Sequence, residues 1–325
     1  MDYLSLLNKI EKYKHSFDVK IIGKSLFGRN IFAVEKTLNK DFATAIFVAS
    51  IHAREHITTD LLCKMIDEGL FDEIKNFNIV FVLMANPDGV ELVTHGLESA
   101  PKQFQKHLVS MNNGSNDFSL WKANGRGVDL NNNFDACFAR HVNSKKPASQ
   151  GFVGEFAESE PESKALADFS RKIKLFLSIS YHSKGEEIYY NFYQEKRRLI
   201  CDEKIAQRFA KSTGYLIKNV EDSSSGGFKD FCIDKLNIAA LTIEVGSDEL
   251  MHPISNKYLD EIFEKHKQVA KDLEFAYNEC RGIYYGLWWK VYETSNQACK
   301  QGKRTWWSAC GCCDCERWKS DCKGF

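Results

Sequence analysis

The sequence predicts an α/β fold: one layered domain with a mixed, mostly parallel central sheet flanked by helices, followed by a short Cys- and Trp-rich C-terminal tail. Three observations carry that expectation. Short β-rich runs alternate with amphipathic stretches. Several of the runs are almost continuously apolar, as strands covered on both faces are. The composition then changes abruptly near Tyr285. A chain of 325 residues is long enough for one large core and a small appendage.

Taken in order, "MDYLSLLNKIEKYKHSF" interrupts its apolar residues with Asn8, Lys9, Glu11 and Lys12 and reads as an amphipathic first helix. Strands are expected at 18–23, 29–36, 43–50, 78–85, 174–181, 187–193 and 239–246. Helical spacing of apolar residues recurs at 57–70, 159–173, 203–214 and 256–279. Residues 97–155 are rich in Asn, Gly, Ser and Lys with little periodicity, and a loop that long inside a compact domain is usually functional. A catalytic domain over 1–285 and a poorly ordered tail over 286–325 are therefore expected, with no repeat of solenoid length.

Composition narrows the function. The 44 basic residues balance 44 acidic ones, so no global field recruits nucleic acid or an anionic membrane, and small-molecule or peptide chemistry stays open. The first residues lack the continuous apolar region of a secretory signal, and the longest apolar run, "FATAIFVASI", is far short of the ~20 residues that span a bilayer. The expectation is a cytoplasmic protein, its oligomeric state open. Cys63, Cys137, Cys201, Cys232 and Cys280 are scattered, as reduced structural thiols are. The other six cysteines crowd the tail, where Cys310, Cys312, Cys313 and Cys315 have donor atoms for a soft metal without the spacing of a zinc finger. A disordered or aberrant extension fits that segment better than a binding module.

The chemistry is concentrated where "AIFVASIHAREHITTDLL", residues 45–62, breaks from an apolar run into His52, Arg54 and Glu55 just before a helical pattern resumes. An HxxE pair alone is weak, and a second one, His95 with Glu98, has no strand feeding it and reads as coincidence. His52 and Glu55 differ because ligands in open α/β sheets collect beyond the carboxyl ends of strands. A zinc site with an open position wants three protein ligands. His182 ends another apolar run, "KLFLSISYH", as His52 ends the first, and is the expected third ligand to one Zn2+. Glu244 interrupts the apolar strand "AALTIEVG", and a carboxylate there is costly unless it is paired or functional. It is the candidate general base.

Together these residues resemble the zinc carboxypeptidase family of the carboxypeptidase A type. "HAREHIT", "NPDG" (86–89), "GVDLNNNFD" (127–135), "SEPE" (159–162), "YHSKG" (181–185), "SGGFKDF" (225–231) and "TIEVG" (242–246) stand in that family's order and spacing. The resemblance implies His52, Glu55 and His182 as zinc ligands and Glu244 as catalytic base. It further implies Arg126 as the cation that polarises the scissile carbonyl, Asp129 as the carboxylate orienting the first zinc histidine, and Asn131 and Arg54 as substrate contacts. Asn132 stands where the digestive enzymes carry an arginine that clamps a terminal carboxylate, and Asp222 where they carry a mobile tyrosine. Lys229 falls where the family sets its preference for the leaving residue, and a cation there suits a side chain ending in a carboxylate. "WKANGRGVDLNNNF" is similar to the bacterial γ-D-glutamyl-meso-diaminopimelate peptidases and murein peptide amidases, so a murein peptide is the implied substrate. The alternatives are a metallocarboxypeptidase for acidic C-terminal residues and a non-catalytic metal- or polymer-binding protein acting through the tail.

Overall fold

A computed structural model describes residues 1–219 and 225–281. The tail over 286–325 and Asp222 lie outside the described residues. Residues Met1–Tyr277 form one compact unit, and the whole sheet belongs to it.

Eight strands form one sheet: β1 (Asp18–Lys24), β2 (Asn30–Lys36), β3 (Thr44–Val48), β4 (Asn78–Val82), β5 (Leu175–His182), β6 (Glu187–Tyr189), β7 (Leu216–Lys218) and β8 (Ala239–Glu244). Their spatial order is β1-β2-β4-β3-β5-β8-β6-β7. The inner neighbours β4, β3, β5 and β8 run parallel, as do β6 and β7, while β1/β2, β2/β4 and β6/β8 are antiparallel. Every residue of β3 and β4 is buried, which is why both read as unbroken apolar runs; β1, at the edge, is mostly exposed.

Nine helices are described: α1 (Tyr3–Tyr13), α2 (Ile57–Asp67), α3 (Pro87–His95), α4 (Lys102–Met111), α5 (Pro161–Lys172), α6 (Lys196–Thr213), α7 (Phe228–Asp234), α8 (Leu259–Lys265) and α9 (Val269–Cys280). The Asp2 carboxylate caps α1 by accepting the Ser5 N–H at 2.8 Å, and Leu6, Ile10 and Tyr13 make its buried stripe. Alternation along the strands separates two cores. Ile46, Val48, Val80, Val82 and Ala240 face Leu166 of α5 and Phe228 and Phe231 of α7. Phe47 and Phe81 lie on the opposite side, their rings stacked 5.4 Å apart, with Tyr181 stacked on Phe47 at 6.2 Å.

The structure corrects three expectations. The stretch 97–155 is not all loop, because α4 lies within it. The single helical pattern over 256–279 divides into α8 and α9, with His266 and its neighbours turning between them. α6 begins at Lys196, before the expected start at 203, because its first turn is charged and has no apolar stripe to reveal it.

Candidate active site and metal centre

Parallel pairing explains why the chemistry gathers at one edge. β5 and β8 run in register with His182 opposite Glu244, so the last residues of both strands stand side by side. β3 lies on the other flank of β5, and His52 follows four residues after its end as the chain turns into Ala53–Glu55. His52, Glu55 and His182 are all buried.

Their donor atoms converge. His52 Nδ1 lies 2.9 Å from Glu55 Oε1, and His182 Nδ1 lies 3.0 Å from both His52 Nδ1 and Glu55 Oε2. Among the described residues this is the one group of three or more such side chains placed to hold a metal ion. Two imidazole nitrogens and a buried carboxylate converging in this way could hold a shared cation. Tetrahedral zinc at 2.0–2.1 Å sets its ligand atoms about 3.3 Å apart, so donor set and spacing fit zinc. His52 Nε2 lies 3.2 Å from Asp129 Oδ1, a buried carboxylate within reach of the ring's other nitrogen. Burial would raise the Asp129 carboxyl, but the charges of Lys122 and His52 hold it well below the ordinary range.

The triad opens on a cavity of about 790 Å³ lined by His52, Asp129, Asn131, Asn132, Lys229 and Glu244, among others. Burial pushes the Glu244 carboxyl up to about 8; Glu55 and Glu187 act in the same sense, while His182 and Lys122 oppose it. Asn131 Oδ1 accepts the Phe228 N–H at 3.0 Å and so ties its loop to α7. Gly226 has φ +78°, and a Cβ there would come within 2.7 Å of the Asn132 carbonyl oxygen, so only glycine lets the two segments approach. Lys229 is buried, its Nζ 2.6 Å from Asp230 Oδ1 and 2.8 Å from the Asn191 carbonyl. Arg54 stands at the rim, donating to the Leu120 carbonyl at 3.3 Å and to Gln150 Oε1 at 3.5 Å.

Arg126 is the residue that the structure does not bring to the site. Its guanidinium is half-exposed, 3.7 Å from Glu160, and does not line the cavity. The cation that does is Lys122, 3.4 Å from Asp129 Oδ2. Burial alone would lower the Lys122 ammonium, but Asp129 and Glu55 raise it above the ordinary range and keep it charged. The reason lies in the intervening turn. Asn124 Oδ1 accepts the N–H groups of Arg126 and Val128, and its Nδ2 donates to Glu160 at 2.8 Å and Glu162 at 3.1 Å. That turn carries Lys122 inward on one side and Asp129 inward on the other, and leaves Arg126 on its outside. Besides Lys122, sequence reasoning missed Tyr189, Lys218 and Asp230 on the cavity wall. His95, of the second HxxE pair, lies at the end of α3, 3.0 Å from Asp2 on the surface.

Glu162 gives this framework a pH signature. Burial pushes its carboxyl from 4.5 up to about 7, Asp88 adds to the rise, and the Leu26 N–H and Asn124 oppose it. The native state therefore binds the extra proton between those values, and Glu162 destabilises the fold increasingly as pH rises through that window. The expected loss is on the order of 3 kcal/mol, complete above about pH 7. Glu162→Gln should be relatively more stable at pH 8 than at pH 5; urea unfolding giving the same wild-type-to-variant difference at both would remove the assignment.

Two imidazoles and a carboxylate at the carboxyl edge of a mixed sheet, beside a second buried carboxylate and an ammonium, define a metal-dependent hydrolase. The zinc carboxypeptidase family model matches residues 3–269, and the chain belongs to that family. It is a zinc metallopeptidase. Among curated relatives it is similar to γ-D-glutamyl-L-diamino acid endopeptidase 1 of Lysinibacillus sphaericus, 28% identical over 78% of this chain and 67% of that one. It is also similar to the uncharacterised protein YqgT of Bacillus subtilis, 30% identical over 70% of this chain and 64% of that one. The matches thus span about two thirds of those relatives' lengths. Carboxypeptidase A from Helicoverpa armigera shares the fold, with a TM-score of 0.66 at 20% identity over 87% of this chain and 74% of that one. Among the described residues no helix is long and apolar enough to cross a membrane.

Proposed function

We propose that this zinc peptidase hydrolyses the γ-D-glutamyl to meso-diaminopimelate bond of murein peptides. The observation that carries the reading is Lys229, a buried ammonium paired with Asp230 on the cavity wall where the leaving residue would sit. Meso-diaminopimelate brings a second carboxylate to that point. Asn131 and Asn132 offer neutral amides where a terminal carboxylate would need a cation, so the leaving group need not end the peptide. The name of the Lysinibacillus relative, a γ-D-glutamyl-L-diamino acid endopeptidase, points to a bond of the same class.

In this reading His52, Glu55 and His182 hold one zinc ion, which when bound supplies Lewis-acid chemistry, acidifying water and polarising a carbonyl. Asp129 fixes the His52 ring. Glu244 takes a proton from the attacking water as its oxygen adds to the scissile carbonyl, then delivers that proton to the amine as the C–N bond breaks. The Lys122 ammonium stabilises the negative charge that develops on the carbonyl oxygen. Lys122→Met is expected to lower kcat about 10²–10³-fold. Arg126→Met, which removes a half-exposed pair, should change it by no more than about threefold. The reverse ranking in steady-state assays would return the role to Arg126.

The substrate is tested by offering L-Ala-γ-D-Glu-meso-diaminopimelate beside an α-linked peptide ending in Glu. Preference for the first is expected. Cleavage of the second alone would favour a carboxypeptidase for acidic C-terminal residues, which Lys229 would also suit.

A further inference from the structure

The cation at Lys229 does not stand alone on the cavity wall. Asp230 follows it in the first turn of α7, and both side chains line the cavity that opens on the metal triad. They are only 6% and 4% exposed, and Lys229 Nζ lies 2.6 Å from Asp230 Oδ1, so the two form a desolvated ion pair. The Asn191 carbonyl accepts a second Lys229 N–H at 2.8 Å, and the Phe192 ring covers the ammonium with its centroid 5.5 Å away. Asp230 Oδ2 accepts the N–H of Gly227, the N-cap of α7, at 3.1 Å, which fixes the carboxylate in place. An ammonium has three N–H donors and a carboxylate about four acceptor positions. Lys229 therefore keeps a donor, and Asp230 acceptor capacity, that the described residues do not use.

The pair is neutral as a unit, and that decides what it can receive. A lone carboxylate entering this corner is drawn to Lys229, repelled by Asp230, and adds an uncompensated buried charge; a lone ammonium meets the converse. A group carrying both charges on one carbon can lie antiparallel to the pair. Its ammonium then meets Asp230, its carboxylate takes the spare Lys229 N–H, and no net charge is buried. Meso-diaminopimelate ends its side chain in such an amino-acid group, whereas Glu ends in a carboxylate alone and Lys in an ammonium alone.

We propose that Lys229 and Asp230 together form a zwitterion subsite for an amino-acid group at the end of the leaving residue's side chain, with Asp230 reading its ammonium. The inference rests on the proposed murein substrate and adds what separates diaminopimelate from a merely acidic leaving residue. Its test compares three tripeptides, L-Ala-γ-D-Glu-X, using the zinc-loaded full chain. X is meso-diaminopimelate, L-2-aminopimelate, which lacks the distal ammonium, or L-lysine, which lacks the distal carboxylate.

The wild type should prefer diaminopimelate to each analogue by at least about tenfold in kcat/KM, because either analogue leaves one member of the buried pair unanswered. Asp230→Asn can still accept the Gly227 N–H but cannot neutralise an ammonium, and should shrink the preference over aminopimelate. Lys229→Met should instead shrink the preference over lysine. The readout is two ratios that move separately, which a general loss of activity or folding does not produce. Equal kcat/KM for diaminopimelate and either analogue in the wild type, or the matching ratio unmoved in either variant, would overturn the subsite while leaving the murein reading intact. Failure of the wild type to cleave any of the three, with an α-linked peptide ending in Glu still cleaved, would overturn both.

Discussion

Glu244→Gln is expected to retain one zinc per chain and to lose turnover by about 10²–10⁴-fold. Glutamine has nearly the same shape, so β8 should keep its register against β5 and the triad its geometry. The amide, however, cannot accept the proton of the attacking water. The wild-type carboxylate has a further property that suits the task. Burial and the nearby Glu55 and Glu187 make it more basic than a solvated glutamate, while His182 and Lys122 restrain the rise. A dication held by the triad adds to that restraint and favours the ionised, proton-accepting form. Metal analysis and single-turnover rates on the same preparation test both halves. A variant with full zinc and undiminished turnover would strip Glu244 of its role.

His182→Ala is expected to fail the other way, losing both zinc and activity. Removing one of three protein ligands should weaken zinc binding by more than the roughly 10–100-fold that loss of an outer partner costs. The site is sensitive because its ligands come from separate segments: His52 and Glu55 share one turn, whereas His182 reaches them from β5, 127 residues beyond Glu55. Elemental analysis after dialysis should find the variant zinc-poor and the wild type at one ion per chain. Tight stoichiometric zinc in His182→Ala would mean that the ion is held elsewhere.

The inner sheet was legible because strands buried on both faces leave continuous apolar runs, and the candidate ligands because they interrupt such runs at strand ends. What escaped has physical reasons. β7 is three residues long, too short for any periodicity, and it brought Lys218 to the cavity unannounced. α4 buries only Leu108, so its apolar stripe was faint, and α3 begins inside an Asn-Pro-Asp-Gly stretch that reads as a turn. The placing of Lys122 rather than Arg126 on the cavity wall is the most instructive. Both cations lie in one short segment, and the choice between them is made by Asn124, held by two carboxylates 36 and 38 residues further along. No local pattern encodes a contact at that separation.

The cavity draws its walls from different parts of the sheet. The ligands and Glu244 grow from its deepest, best-braced strands, while Tyr189 and Lys218 hang from the three-residue strands β6 and β7 at its margin. Substitutions in that lightly anchored fringe can therefore reshape part of the cavity wall during evolution while leaving the strands that carry the triad undisturbed.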